Sequence, residues 1–113
     1  MIEKTVLDWL TAGGITAYME MPEPVPSGNF VLIEKTGSDP RPVGLEAATL
    51  AVQSYADTLY GAASLNESVK ARMAALYWEQ GICRLECNSD YNFTDEETKK
   101  YRYQAVFDVL YYG

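Results

Sequence analysis

The chain contains no histidine among its 113 residues, and no other absence removes as much chemistry. Histidine is the commonest general base near neutral pH and a leading metal ligand, so neither a Ser-His-Asp nor a Cys-His arrangement can be built. Cysteine is almost as scarce, and Cys83 and Cys87 alone cannot complete a structural zinc site. Read as same-face members of one strand, their Cα atoms would stand roughly 13 Å apart, beyond a disulfide's reach of about 4.4 to 6.8 Å. Two reduced, half-buried thiols of an intracellular protein are the expectation. No apolar run approaches the roughly 20 residues of a membrane helix. The stretch from Met1 to Trp9 has acid mixed among its apolar positions and lacks a signal-peptide pattern.

Basic residues are also few. Nine Lys and Arg face 16 Asp and Glu, a formal charge of −7. Lys99-Lys100-Arg102 is the one basic grouping, while Arg41, Arg72 and Arg84 are scattered. Binding through phosphates draws on clustered Lys and Arg, so a dedicated DNA binder is not expected. Phosphate loops are missing too, because neither GxxxxGK[ST] nor GxGxxG occurs, and Gly13-Gly14 reads as a helix stop. The acidic stretch Asp90-Tyr91-Asn92 to Asp95-Glu96-Glu97 invites a calcium reading. However, no starting point puts Gly at the sixth position and an acid at the twelfth, as an EF-hand requires. A solvated turn is the better account. No cofactor, no metal and no enzymatic role are expected.

What is present is a pattern of short elements within one domain. The composition, 48% apolar and 22% charged, suits one core of ordinary size. Ile2, Val6, Trp9 and Leu10 recur at helical spacing and predict a helix over 2–12. Ile15 to Met21 alternates as a strand, and Pro22 to Gly28, with three prolines, is an irregular connection. Asn29 to Thr36 is a second strand, followed by a loop from Gly37 to Gly44 that is long enough to project. Residues 47–55 alternate as a third strand. Asp57 to about Glu79 is the main helix, with Asp57 as its N-cap and Leu59, Ala62, Ala63, Val69, Met73 and Leu76 along its apolar stripe. Ser64-Leu65-Asn66-Glu67 also matches a capping box, which leaves open a regular helix that begins only there. Ile82 to Asn88 is a fourth strand, Ser89 to Lys100 a polar turn, and Tyr101 to Tyr112 a fifth strand.

That last strand is the most telling. Tyr101, Tyr103, Ala105, Phe107, Val109 and Tyr111 share one face, while Arg102, Gln104 and Asp108 share the other with Val106, Leu110 and Tyr112. One face seals a core and the other is left for something besides water. Four of the nine tyrosines lie here, consistent either with a sheet covering or with an interface, where Tyr is enriched. The order α-β-β-β-α-β-β implies an α+β fold: a mostly antiparallel sheet with two helices packed on one face and the other face available to a neighbour.

The first helix with its Gly-Gly end, the Pro-bearing loop and Phe30-Val31-Leu32-Ile33-Glu34-Lys35-Thr36-Gly37 together resemble the tail-terminator (tail-completion) proteins of long-tailed bacteriophages. So do Ala48 to Ala56 leading into an Ala-rich helix, and Tyr101-Arg102-Tyr103-Gln104 opening the final strand. The resemblance spans nearly the whole chain in element order and spacing. Its motifs include no catalytic signature, and the proline usual in the turn before the last strand is absent here. It implies a non-enzymatic virion part that forms a ring, commonly hexameric, on the tail tube. Such a ring stops tube polymerisation and presents the surface that docks to the head. The expected partners are further copies of the chain, the tube protein and head–tail connector proteins, with DNA passing nearby but not specifically bound and no membrane. The expected location is the virion tail, and the host cytoplasm during assembly. Candidate assembly residues are Pro24, Val25, Pro26, Arg41, Pro42, Arg102 and Gln104. The alternatives are a head–tail connector or head-completion protein and, from another class, a small ligand- or peptide-binding module with a closed apolar pocket.

Overall fold

A computed structural model describes residues 1–41, 44–94 and 100–112. Helix α1 spans Ile2–Ala12 and buries Ile2, Val6 and Leu10. It ends where Gly13 and Gly14 bond back to the last-turn carbonyls, Gly14 at φ 87°. Five strands follow the expected order: β1 Ala17–Tyr18, β2 Phe30–Pro40, β3 Leu45–Ala56, β4 Ile82–Asn92 and β5 Tyr101–Tyr112, with helix α2 at Leu59–Leu76 between β3 and β4. They form one sheet in the spatial order β1-β2-β3-β5-β4, antiparallel throughout except for the β1–β2 pair. The α+β class and the element order are as the sequence implied.

The core lies between one sheet face and the two helices. Val31, Ile33, Ala48, Leu50, Val52, Ala105, Phe107 and Val109 meet Val6 and Leu10 of α1 and Val69, Met73 and Leu76 of α2. The same-face set of β5 therefore seals the core through Ala105, Phe107 and Val109, as its alternation indicated. The helices are joined by a clamp: the Trp9 indole donates to the Arg72 carbonyl at 2.7 Å, and Arg72 Nε donates to the Trp9 carbonyl at 2.9 Å. The Arg72 guanidinium also stacks 3.7 Å over the Trp9 ring. Gly13 is part of this arrangement, because a Cβ there would come within 2.7 Å of Arg72 Cδ.

Several boundaries differ from the sequence expectation. The first strand shrinks from 15–21 to Ala17–Tyr18, and Met19 and Met21 are exposed. Tyr18 already lies opposite Leu32, so each further paired residue would carry the chain about 3.3 Å away from Phe30, to which it must return. The expected loop from Gly37 is instead strand, since β2 runs on to Pro40 and pairs with β3 from Leu45. A register shift between Lys35 and Gly37 absorbs the irregularity. Pro40 is tolerated because Arg41 N–H, not that of residue 40, bonds across to the Leu45 carbonyl.

The main helix is shorter than 57–79, and its cap is Thr58, whose hydroxyl accepts from Gly61 N–H at 2.9 Å. Asp57 instead receives an ion pair from Lys100 at 3.0 Å. The helix is already regular before Ser64. Leu59 is exposed and Ala63 half-buried, and the buried stripe runs through Ala62, Asn66, Val69, Met73 and Leu76. Strand β4 continues past Asn88 to Asn92, so Asp90 and Asn92 belong to a strand and not to a turn. Asp90 accepts bonds from Asn66 and Lys70 of α2, which holds this end of β4 in place. Asp95, Glu96 and Glu97 fall outside the described residues. Both cysteines are free but exposed, not half-buried, because β4 is an edge strand with only β5 beside it.

Candidate assembly surface

The sheet face away from the helices carries a connected polar and aromatic row across β3, β5 and β4. Thr49 donates to Asp108 at 3.0 Å, and Asn88 donates to the other oxygen of that carboxylate at 2.8 Å. Gln53 donates to Gln104 at 2.8 Å, and Gln104 donates in turn to the Tyr91 hydroxyl at 2.6 Å. The Tyr55 hydroxyl donates to Gln53 at 3.2 Å and accepts from Arg102 at 3.0 Å. Arg102 also donates to the Phe93 carbonyl at 2.8 Å and lies 4.3 Å over the Phe93 ring. Phe30 stacks on Tyr55 at 4.8 Å, and Tyr18 closes on its edge at 6.0 Å. This end of the face is thus already covered and internally bonded. Gln104, expected as free interface, is only 9% exposed and its amide is occupied within the row. Arg102 is half-buried and spends its guanidinium on Tyr55 and Phe93.

Toward the other end of the strands the same face opens into a groove of about 740 Å³. Ala47 and Thr49 are among its lining residues, with Leu45 and Leu110, and Arg41, Arg84 and Glu86 supply charge. Arg41 is exposed and paired with Asp39 at 3.5 Å. Pro42 lies outside the described residues. Pro24 and Val25 are exposed, Pro26 is half-buried, and the Glu23–Pro24 peptide is cis.

The register separates these groups. The Pro24 segment joins β2 at Phe30, whereas Arg41 follows β2 at Pro40. Eleven residues of strand place the two attachment points roughly 33 Å apart. The molecule measures 45 × 25 × 24 Å, so that span can only lie along its long axis. Arg102 and Gln104, opposite Tyr55 and Gln53, sit toward the Phe30 end. The segment with Pro24–Pro26 thus joins β2 at the end where Arg102 and Gln104 lie, and Arg41 leaves it at the other. From Glu34 to Asp39 every described side chain is exposed, as are Arg41 and Glu46, so the β2–β3 hairpin stands largely clear of the core.

Sequence reasoning missed the Arg72–Trp9 clamp and the Gln53–Gln104–Tyr91 relay. Both join residues far apart in the chain, and nothing in the local pattern signals them. The Cys87 thiol is pushed above its ordinary 9.0 by loss of solvent around the sulfur and by Asp90, although the residue as a whole is exposed. Among the described residues, no group of three or more His, Cys, Asp or Glu is placed to hold a metal. No described helix is long and apolar enough to cross a membrane. No protein-family model matches the chain, and a search of curated protein sequences found no match.

Proposed function

We propose that this protein is a non-enzymatic virion component of a long-tailed bacteriophage or prophage. In this reading it is a tail terminator that assembles as a ring on the tail tube, ends tube polymerisation and offers the head its docking surface. The observation that carries the reading is that two exposed segments, the one with Pro24–Val25 and the hairpin with Arg41, attach at opposite ends of strand β2 in an elongated subunit. A ring lying between a tube and a head needs contact residues on both of its sides, and a two-ended subunit supplies them. Further copies of the chain, the tube protein and head–tail connector proteins are the partners. The net charge of −7 suits a passage through which DNA slides without being gripped.

A head–tail connector role fits the same two-ended geometry and differs in the partner bound. The ligand-binding module is less well supported, because the 740 Å³ groove is lined by Asp39, Arg41, Arg84, Glu86 and Asp108 and is not a closed apolar pocket. The test is to add the purified protein to polymerising tail-tube protein and image the tubes by electron microscopy. Tubes halted at shorter lengths with a ring on one end support the terminator role. Unchanged, uncapped tubes contradict it, and binding to isolated connector rings in their place favours the connector.

A further inference from the structure

Both outer edges of the four-stranded run β2-β3-β5-β4 are open. On the side of β2 away from β3, the parallel bridge of Tyr18 with Leu32 takes up the Ile33 N–H, and beyond it no described strand pairs, so Glu34 to Asp39 has no strand partner on that side. On the far side, no described strand pairs with the edge of β4 that faces away from β5, and Glu86 to Asn92 are all exposed. Natural edges are often blunted by Lys or Pro; β4 contains neither, whereas β2 carries Lys35 and ends at Pro40.

The hydrogen-bond pattern fixes which residues point outward. On β2, Val31 N–H turns away from β3 and bonds the Thr16 carbonyl, while Arg41 N–H turns toward β3 and bonds Leu45. Antiparallel alternation, with the shift after Lys35, then directs the backbone of Ile33, Lys35 and Ser38 outward. On β4, Phe93 N–H bonds the Arg102 carbonyl. The same alternation, with the shift after Cys87, directs Asp90, Cys87 and Leu85 outward. All six positions lie opposite core-facing residues of the neighbouring strand: Val52, Leu50 and Ala48 for β2, and Ala105, Phe107 and Val109 for β4. The two edges therefore match in three respects. They run in opposite directions, both have outward backbone groups at alternate positions, and those positions belong to the same sheet face.

We infer that the β4 edge of one copy pairs antiparallel with the free β2 edge, Glu34 to Asp39, of the next copy, so that the sheet continues from subunit to subunit. The contact is heterologous, since two different edges meet, and repeats into a ring wherever the rotation closes. Lys35 on the β2 edge and Asp90 on the β4 edge lie on the same sheet face, so pairing of the unlike edges can set opposite charges side by side. The two register shifts in β4 add the local twist that bending a repeated sheet requires.

This inference rests on the ring reading above, and its test separates the two. In a Cys83→Ser background, Cys87 is retained and a second cysteine is placed at Lys35 or Ser38 in turn. A short bifunctional thiol linker spans direct and diagonal neighbours, which lie about 5 to 8 Å apart across such a pair. At least one of these variants is expected to give a ladder of covalent oligomers on a denaturing gel, and the parent with Cys87 alone none. In parallel, Lys35→Pro removes an outward N–H and is expected to abolish assembly, whereas Lys35→Ala, which keeps that N–H, assembles as wild type. Rings that form without cross-links at any position, or through Cys87 alone, overturn the edge pairing and leave the ring reading standing. Cross-links to the tube protein in place of a second copy do the same. A chain that never assembles, alone or with tube protein, overturns both.

Discussion

Single side chains set the coupling between the two helices. Arg72 and Trp9 exchange two hydrogen bonds and a cation–π contact, each worth about 0.5 to 1.5 kcal/mol net. Arg72→Ala should therefore cost about 1 to 3 kcal/mol in urea unfolding. Trp9→Phe should cost less, because it keeps an aromatic ring beneath the guanidinium. A double-mutant cycle with clearly non-additive costs would verify the clamp. Ser54 is the converse case: fully buried, its hydroxyl has no partner among the described residues. Ser54→Ala should be neutral or stabilise by up to about 1 kcal/mol, and a marked loss in the urea midpoint would contradict that account.

Two titrations act in the same direction. The Lys70 ammonium is held above its ordinary 10.5 chiefly by its bond to Glu67, and burial, with Glu46 nearby, lifts the Tyr111 hydroxyl above 10.0. In both cases the folded state keeps a proton that the unfolded chain would release first. The contribution is therefore full below about pH 10 and drains away as pH rises through the folded-state values. The urea midpoint should show no loss from these groups between about pH 7 and 9 and a decline above that. Lys70→Gln and Tyr111→Phe should each flatten the decline.

At the scale of elements, the start of α2 distinguishes a cap from an ion pair. Thr58→Ala should cost about 1 kcal/mol because it orphans Gly61 N–H. Asp57→Ala should cost no more than about 1 kcal/mol because its pair with Lys100 leaves the carboxylate mostly in water. The reverse order, measured by thermal unfolding, would return the cap to Asp57. This is also where the limits of the sequence lie. Helix α1 was legible from Ile2, Val6 and Leu10, and β5 from its alternation, because local periodicity decides both. Asp57 and Thr58 are equally good cap residues by type, and the choice depends on Lys100, which is distant in sequence. Strand lengths were the weakest reading: β1 was cut short by the need to return to Phe30, and β2 was extended past Gly37 by pairing with β3. Of the candidate site residues, Pro24, Val25 and Arg41, singled out by turn chemistry, are exposed. Gln104 is buried by partners on β3 and β4 that no local pattern reveals.

For the whole molecule, length matters more than any one residue. Strands of eleven and twelve residues hold two loop regions at opposite ends of a 45 Å subunit, and they leave two unlike sheet edges open along its sides. Ends that touch tube and head, and sides that touch neighbouring subunits, are what a ring between the two requires. Replacing the hairpin from Gly37 to Thr49 with a tight turn should leave the core intact, since few of its side chains are buried, yet abolish docking at that end. Retained cooperative unfolding with lost co-sedimentation on tube protein is the expected outcome.

The most direct test is the molar mass of the purified protein by light scattering, across a concentration series and with tail-tube protein added. The account predicts a discrete ring of several subunits, formed alone at high concentration or on addition of tube protein. A monomer that keeps its mass at every concentration and ignores the tube protein would contradict it.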